Sequence, residues 1–205
     1  MALLDYASGC VVAMYGKDCV AIATDHHLGT SDHVMPVHFE KIFRVDQKLF
    51  MGLIGLQADI LRVRNTVLNR KKSFECDQIR KMTVEGFANL TSNFLYEYRF
   101  EPFYVETIIA GLNSITGEPL ICGMDLLGCL SYPPDYIICG SPNCQAYSLS
   151  EMLWKPNLEP DQLFEVISQT ILNSLLRDTN SSNDATVHVL EKHQLTTKVI
   201  TKGSD

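Results

Sequence analysis

Asp25 and Lys41 are the residues of this chain best suited to doing chemistry together. Two short apolar runs, Cys10–Tyr15 and Cys19–Thr24, flank the turn Gly16-Lys17-Asp18. That pattern predicts a β-hairpin whose second strand delivers Asp25 at its end. A carboxylate there and the ammonium of Lys41 can meet near the start of the first strand, as a charge pair suited to activating a nucleophile. The residue at that start is Gly9, which has no side chain to activate.

Cys10 comes next, and a thiol becomes a good nucleophile when a cationic neighbour lowers its pKa. Cleavage after Gly9 would expose Cys10 as a new N-terminus. Register opposes this reading. A shift of one residue along a strand turns the side chain to the other face, away from Lys41. The turn Gly16-Lys17-Asp18 keeps the hairpin at its ordinary length, so Cys10 is expected to be a buried core thiol. The Asp25–Lys41 pair is itself expected to be structural, since removing either partner strands the other charge.

His26, His27, His33 and His38 suggest a metal cluster, but their spacings fit no zinc pattern and no Cys or carboxylate completes a set. A polar loop is expected there, with no metal and no cofactor. The seven cysteines are odd in number, never spaced C-x-x-C, and mostly embedded in apolar runs. They predict buried free thiols in a reducing compartment. The N-terminal MALLDYASGC has neither a basic n-region nor a long apolar stretch, so it does not read as a secretory signal.

The elements that must position these residues follow from periodicity. With 205 residues, 46% of them hydrophobic, and no linker, repeat or low-complexity segment, a single domain over 1–205 is expected. A net charge of −7 with scattered cations excludes a basic nucleic-acid-binding face. Only Arg70-Lys71-Lys72 clusters, and it reads as a solvated helix end. No apolar run approaches the roughly 18 residues that span a bilayer. After the first hairpin, Ile42–Val45 and Leu49–Ile54 predict a second one around Asp46-Gln47-Lys48. Leu56, Ile60, Val63 and Val67 fall at helical spacing, as do Ile79, Phe87, Leu90, Phe94 and Tyr98. Two helices are predicted, parting near Ser73–Asp77.

Strands return at Val105–Gly111, Leu120–Met124 and Tyr136–Cys139. A third helix is expected after Pro142 and a fourth from Asp161, with Glu159-Pro160 as its start signal. Ala185–Leu190 and Thr196–Thr201 close the chain as a strand pair. Segregated blocks of strands and helices predict an α+β fold. Strands apolar on both faces suit sheets covered on both sides, as in a four-layer αββα sandwich.

This organisation resembles the N-terminal-nucleophile hydrolase fold of proteasome beta subunits over nearly the whole chain. The resemblance rests on AIATD ending in Asp25, EKIF carrying Lys41, GLIGLQAD with Gly55, the CGS turn at Gly140-Ser141, and LLRDTNS with Asp178 and Ser181. Further segments, GKDCVAIATD, NFLYEYRFEPFYVETIIAGL, DLLGC and LWKPNLEPDQLFEVISQTILN, are similar to those of a non-catalytic member. In active members a threonine freed by cleavage after a glycine attacks the peptide carbonyl. The resemblance, counted back from Asp25 without a gap, puts that nucleophile position at Gly9. The same offset puts the lysine at Lys41 and the oxyanion-side glycine at Gly55. Asp25, Lys41, Gly55, Ser141, Asp178 and Ser181 then match supporting positions, while Ser182 departs from the usual glycine.

The resemblance implies an inert site and an uncleaved short leader over residues 1–8. It also implies a structural place in a seven-membered beta ring, next to two beta neighbours and an alpha ring, in a 28-subunit hetero-oligomer of cytoplasm and nucleus. No nucleic acid and no membrane enter this picture. Asp125 and Cys129, in DLLGC, would face a neighbouring catalytic subunit and help line its substrate pocket, where an acid favours basic side chains. Ring interfaces should gather exposed apolar residues, with Phe94–Tyr104 and the surroundings of Trp154 as candidates. Two other classes stay open: an active hydrolase using Cys10, and an unrelated α+β binding protein acting alone.

Overall fold

The computed structural model describes residues 9–26, 28–30, 33–35, 39–114, 116–140, 143–177 and 184–201. The strands are β1 (Cys10–Tyr15), β2 (Cys19–Asp25), β3 (Leu28–Thr30), β4 (His33–Met35), β5 (Ile42–Asp46) and β6 (Leu49–Gly55). Helices α1 (Gln57–Gln78) and α2 (Val84–Glu97) precede β7 (Val105–Leu112), β8 (Pro119–Met124), β9 (Leu130–Ser131) and β10 (Tyr136–Gly140). Then come α3 (Asn143–Leu153), α4 (Pro160–Arg177), β11 (Asp184–Glu191) and β12 (Leu195–Thr201). One five-stranded antiparallel sheet runs β10-β1-β2-β11-β12, and a second runs β5-β6-β7-β8-β9. Strands β3 and β4 form a small separate hairpin.

Alternation along each strand distributes the core into three layers. In β1 and β2, Val11, Ala13, Val20 and Ile22 point between the sheets and meet Phe50, Ile54, Ile108 and Leu112 of the second sheet. Cys10, Val12, Ala21 and Ala23 point the other way, onto Leu163, Ile167 and Ile171 of α4. On the far side, Met51, Leu53 and Ile109 pack under Val63, Val67, Phe87 and Phe94 of α1 and α2. The result is the expected αββα sandwich, in which both faces of both sheets are covered. That explains why β1 and β2 read as continuous apolar runs.

Two helix details differ from the sequence expectation. Helix α1 does not break near Ser73–Asp77 but runs through to Gln78. The turn is made instead by Ile79, left-handed at φ 52°, and α2 starts behind Thr83, whose hydroxyl accepts from the Gly86 amide. No glycine or proline marks this boundary, which is why periodicity misplaced it.

The Arg70-Lys71-Lys72 cluster is also not a solvated helix end. Lys71 continues the buried stripe Ile60, Val63, Val67, and its ammonium donates to Glu75 at 2.8 Å and to Asp46 at 3.5 Å. Glu75 also accepts from the Met82 amide, tying α1 to the segment beyond its end. Arg70 forks onto Glu97 and covers the Phe94 ring.

Among the candidate interface aromatics, Phe94 and Phe103 are core, whereas Tyr96, Tyr98 and Phe100 are exposed, with Arg99 against the rings of Tyr96 and Phe100. Trp154 turns inward. Its indole N–H donates to the Tyr15 carbonyl at 2.9 Å, and the exposed apolar residue beside it is Met152.

His188, on β11, stacks on Phe50 of the opposite sheet at 5.0 Å, with Nδ1 2.9 Å from Thr197 Oγ1. Burial, then the charges of Arg44 and His26, push its pKa down to about 4. A folded-state pKa below the ordinary value means that the neutral ring's contribution is complete above about pH 6.5 and is lost as pH falls toward 4. Urea unfolding should therefore lose up to about 3 kcal/mol across that window, less for the part of the ring that water reaches. His188→Gln should flatten the curve there, and an unchanged pH slope would rule this contribution out.

Candidate functional site

The site is built where the two sheets meet at the start of β1. Asp25 ends β2 in the first sheet, and Lys41 leads into β5 in the second, its carbonyl accepting from the Leu53 amide of β6. The Lys41 ammonium donates to Asp25 Oδ1 at 2.8 Å, with side chains 2% and 0% exposed. The same oxygen accepts the Cys10 amide at 2.8 Å. Thr24 Oγ1 lies 3.0 Å from the carbonyls of Cys10 and Asp25. Asp25 thus clamps the first residue of β1 and receives an ammonium from the other sheet.

Gly9 sits directly over this pair with φ +105°, a backbone that side-chain-bearing residues rarely adopt. A Cβ added there would fall on Lys41 Nζ and stand 2.7 Å from Asp25 Oδ1. The ammonium therefore occupies the volume that a side chain at position 9 would need. Gly140 of β10 closes the other side. A Cβ on it would strike the Gly9 carbonyl and come within 2.7 Å of Ile54 Cδ1. Its amide donates to Glu106 Oε2 at 3.1 Å. Gly55, one residue beyond Ile54, ends β6 with φ +147° beside the Tyr104 carbonyl.

The sequence-predicted site residues divide as follows. Gly9, Asp25 and Lys41 are brought into contact, and Gly55 lies at the same end of the second sheet. Ser141, Asp178 and Ser181 lie outside the described residues. Gly140, expected with Ser141 in the CGS turn, stands against Gly9, whereas the sequence reading does not include its partner Glu106. An acid embedded in the apolar run of β7 was the available signal for Glu106. Asp125 and Cys129 are far from this pair in role: they belong to the exposed turn after β8. Asp125 Oδ1 accepts the amides of Leu127 at 2.9 Å and Cys129 at 2.8 Å, and Ser92 Oγ donates to the Gly128 carbonyl at 2.6 Å, pinning the turn to α2.

The Cys10 reading gains no support. Its side chain is fully buried under α3 and α4 with Val12 and Ile171. Burial, then the charge of Asp25, pushes its thiol far up, outweighing the opposing Lys41. Among the described residues no three His, Cys, Asp or Glu side chains are grouped to hold a metal ion, and no helix is long and apolar enough to cross a membrane.

The proteasome-subunit family model matches residues 6–190, most of the chain. The chain belongs to the proteasome subunit family. Similar members include the proteasome subunit beta type-3 of Drosophila melanogaster, 47% identical over 205 residues and 100% of each chain. The beta type-3 subunit of Saccharomyces cerevisiae is 39% identical over 96% of each chain, and that of Caenorhabditis elegans 33% over 100% of each. The family accounts for the αββα sandwich.

Proposed function

We propose that this chain is a non-catalytic structural subunit of the 20S proteasome core, occupying the beta type-3 place in the beta ring of a 28-subunit hetero-oligomer. It contributes to ubiquitin-dependent and other proteasomal protein degradation through its neighbours rather than through its own chemistry. The single observation that carries this reading is the Lys41 ammonium standing where a side chain at position 9 would be. The full-length similarity to relatives named beta type-3 supports the same place. Buried free thiols at Cys10, Cys19, Cys122 and Cys139 support a reducing compartment, cytoplasm and nucleus.

The test is made on the particle purified through a tag on this chain. A peptide vinyl sulfone, an electrophile for activated N-terminal nucleophiles, should label neighbouring subunits and leave this chain unmodified. Mass spectrometry should find its sequence continuous across Gly9–Cys10. A label on this chain, or a chain beginning at Cys10, overturns the inactive reading. Elution at the mass of a lone chain overturns the assembly.

Asp125 and Cys129 supply the second part of the proposal. The turn that holds them is exposed and rigidly tied down, and Oδ2 of Asp125 has no hydrogen bond among the described residues. In the ring this turn lines a neighbouring subunit's substrate pocket, where the carboxylate favours basic side chains. Asp125→Asn keeps an oxygen for the Leu127 and Cys129 amides and removes the charge. It should lower the particle's cleavage after Lys or Arg about 3- to 10-fold, a loss of about 1 kcal/mol of pairing, with cleavage after apolar residues unchanged. Equal loss for both substrates would point to a loosened turn instead.

A further inference from the structure

Only two serine or threonine residues of the chain have basic residues at both the third and the second place before them, and they lie ten residues apart. Ser73 follows Arg70-Lys71-Lys72 and precedes Phe74, and Thr83 follows Arg80-Lys81-Met82 and precedes Val84. Two cations ahead of a hydroxyl, with an apolar residue just after it, form the charge pattern by which one class of protein kinase reads its substrates. Such an enzyme lays the segment out extended in its groove, so the fold decides between the two. Ser73 is inside α1, and straightening its flank would pull Lys71 off Glu75 and Asp46, and Arg70 off Glu97. Thr83 lies outside both helices. Residues 80–83 form neither helix nor strand, Thr83 is already extended at φ −74° and ψ 163°, and Arg80 and Lys81 are exposed ahead of it. Freeing that segment releases the Met82 amide from Glu75 and the exposed Lys81 from Asp46, and no helix unwinds.

The same place can hold a phosphate once it is made. Thr83 borders a groove of about 380 Å³ that Arg70, Arg80, Asn89 and Asn93 also line. None of the described residues lining it carries a carboxylate, in a chain whose net charge is −7. Arg70 is committed to its fork onto Glu97. Arg80 is not: its guanidinium rests 5.4 Å from the centre of the Phe74 ring, with no carboxylate partner among the described residues. A planar guanidinium offers paired donors that match phosphoryl oxygens. The Thr83 hydroxyl accepts the Gly86 amide at 3.1 Å, and a phosphoryl oxygen can take over that amide. Glu85, the acid of the first turn of α2, is exposed and does not line the groove.

We propose that Thr83 is a phosphorylation site for a protein kinase directed by basic residues, with Arg80 first presenting the hydroxyl and then receiving the phosphate. Thr83 Oγ1 attacks the γ-phosphorus of ATP, the bond from that phosphorus to the β–γ bridging oxygen breaks, and ADP leaves with the electron pair. The hydroxyl proton passes to the carboxylate base of the kinase. The product places roughly two negative charges beside Arg80 and fixes the start of α2 to the segment before it. The site belongs to the chain itself and does not require the assembly proposed above.

The full-length chain, incubated with ATP, magnesium and the catalytic subunit of cyclic-AMP-dependent protein kinase, tests this directly. Mass spectrometry should find phosphate on Thr83 and about tenfold less on Ser73, because the helix around Ser73 must first unwind. That order runs against hydroxyl chemistry, since the primary hydroxyl of serine is the less hindered acceptor. Arg80→Ala should cut labelling of Thr83 about tenfold by removing the cation that the kinase reads. Arg80→Lys keeps a cation but loses the planar fork, and so separates the two roles. Phosphorylation of the wild-type chain should slow hydrogen exchange of the first-turn amides of α2 about tenfold, and of Arg80→Lys distinctly less. No phosphate on Thr83, as much on Ser73, full labelling of Arg80→Ala, or exchange unchanged by phosphorylation overturns the proposal.

Discussion

Replacing Lys41 with methionine is expected to destabilise the folded chain by about 3–5 kcal/mol, the usual consequence of leaving one member of a buried ion pair alone. The magnitude follows from the surroundings of Asp25. Its carboxylate is fully buried and ends β2, where it already holds the Cys10 amide, so it cannot turn out to water without releasing the start of β1. The double variant Asp25→Asn with Lys41→Met should recover most of the loss. Asparagine still accepts from the Cys10 amide, and the methionine fills the lysine's path between the sheets. Urea unfolding of the four members of this cycle measures the coupling directly. A single Lys41→Met that costs less than about 1 kcal/mol would show that the pair does not hold the two sheets together.

Installing threonine at position 9 is expected to fail as a restoration of catalysis. Gly9→Thr forces a β-branched residue to φ +105° and drives its Cβ into the Lys41 ammonium. The backbone strain alone is worth about 1–3 kcal/mol. Displacing Lys41 from Asp25 adds a further loss on the scale of the buried pair, about 3–5 kcal/mol. The expected result is poor incorporation into particles and no labelling of this chain by the vinyl sulfone. Gly9→Thr combined with Lys41→Ala should incorporate no better than Gly9→Thr alone, because buried Asp25 loses its ammonium in either case, and should remain inactive. A stable, labelled Gly9→Thr chain would mean that the lysine yields easily and that glycine alone keeps the site silent.

Much of this was legible before any coordinates, and particular residues show why. The hairpin around Gly16-Lys17-Asp18 and the strands at Cys10–Tyr15 and Leu49–Gly55 follow from short apolar runs with polar turns, a local signal. The facing of Cys10 toward α4, with Val12, follows from strand alternation. The tip at Ile79 was not legible, because a left-handed isoleucine carries none of the chemistry that marks helix ends. Lys71 was misjudged for a related reason. A lysine in a basic triplet looks solvated until Asp46 and Glu75, distant or on another turn, are brought to its ammonium. The site divided the same way. The meeting of Asp25 and Lys41 was anticipated, but that the ammonium fills the space above Gly9 is a matter of packing, which spacing along a chain does not encode.

The position of that ammonium also bears on the history of such a chain. Once residue 9 is glycine and Lys41 fills the space above it, the lysine is retained by the fold itself, since its loss would open the junction of the sheets. Selection for stability then preserves a residue whose chemical use has ended. It also opposes the return of a nucleophile, because a side chain at position 9 must first shift the Lys41 ammonium and leave the left-handed backbone now found there. The way back is then steeper than the way in: removing a side chain at position 9 leaves the pair undisturbed, whereas restoring one must rearrange both the pair and the backbone beneath it.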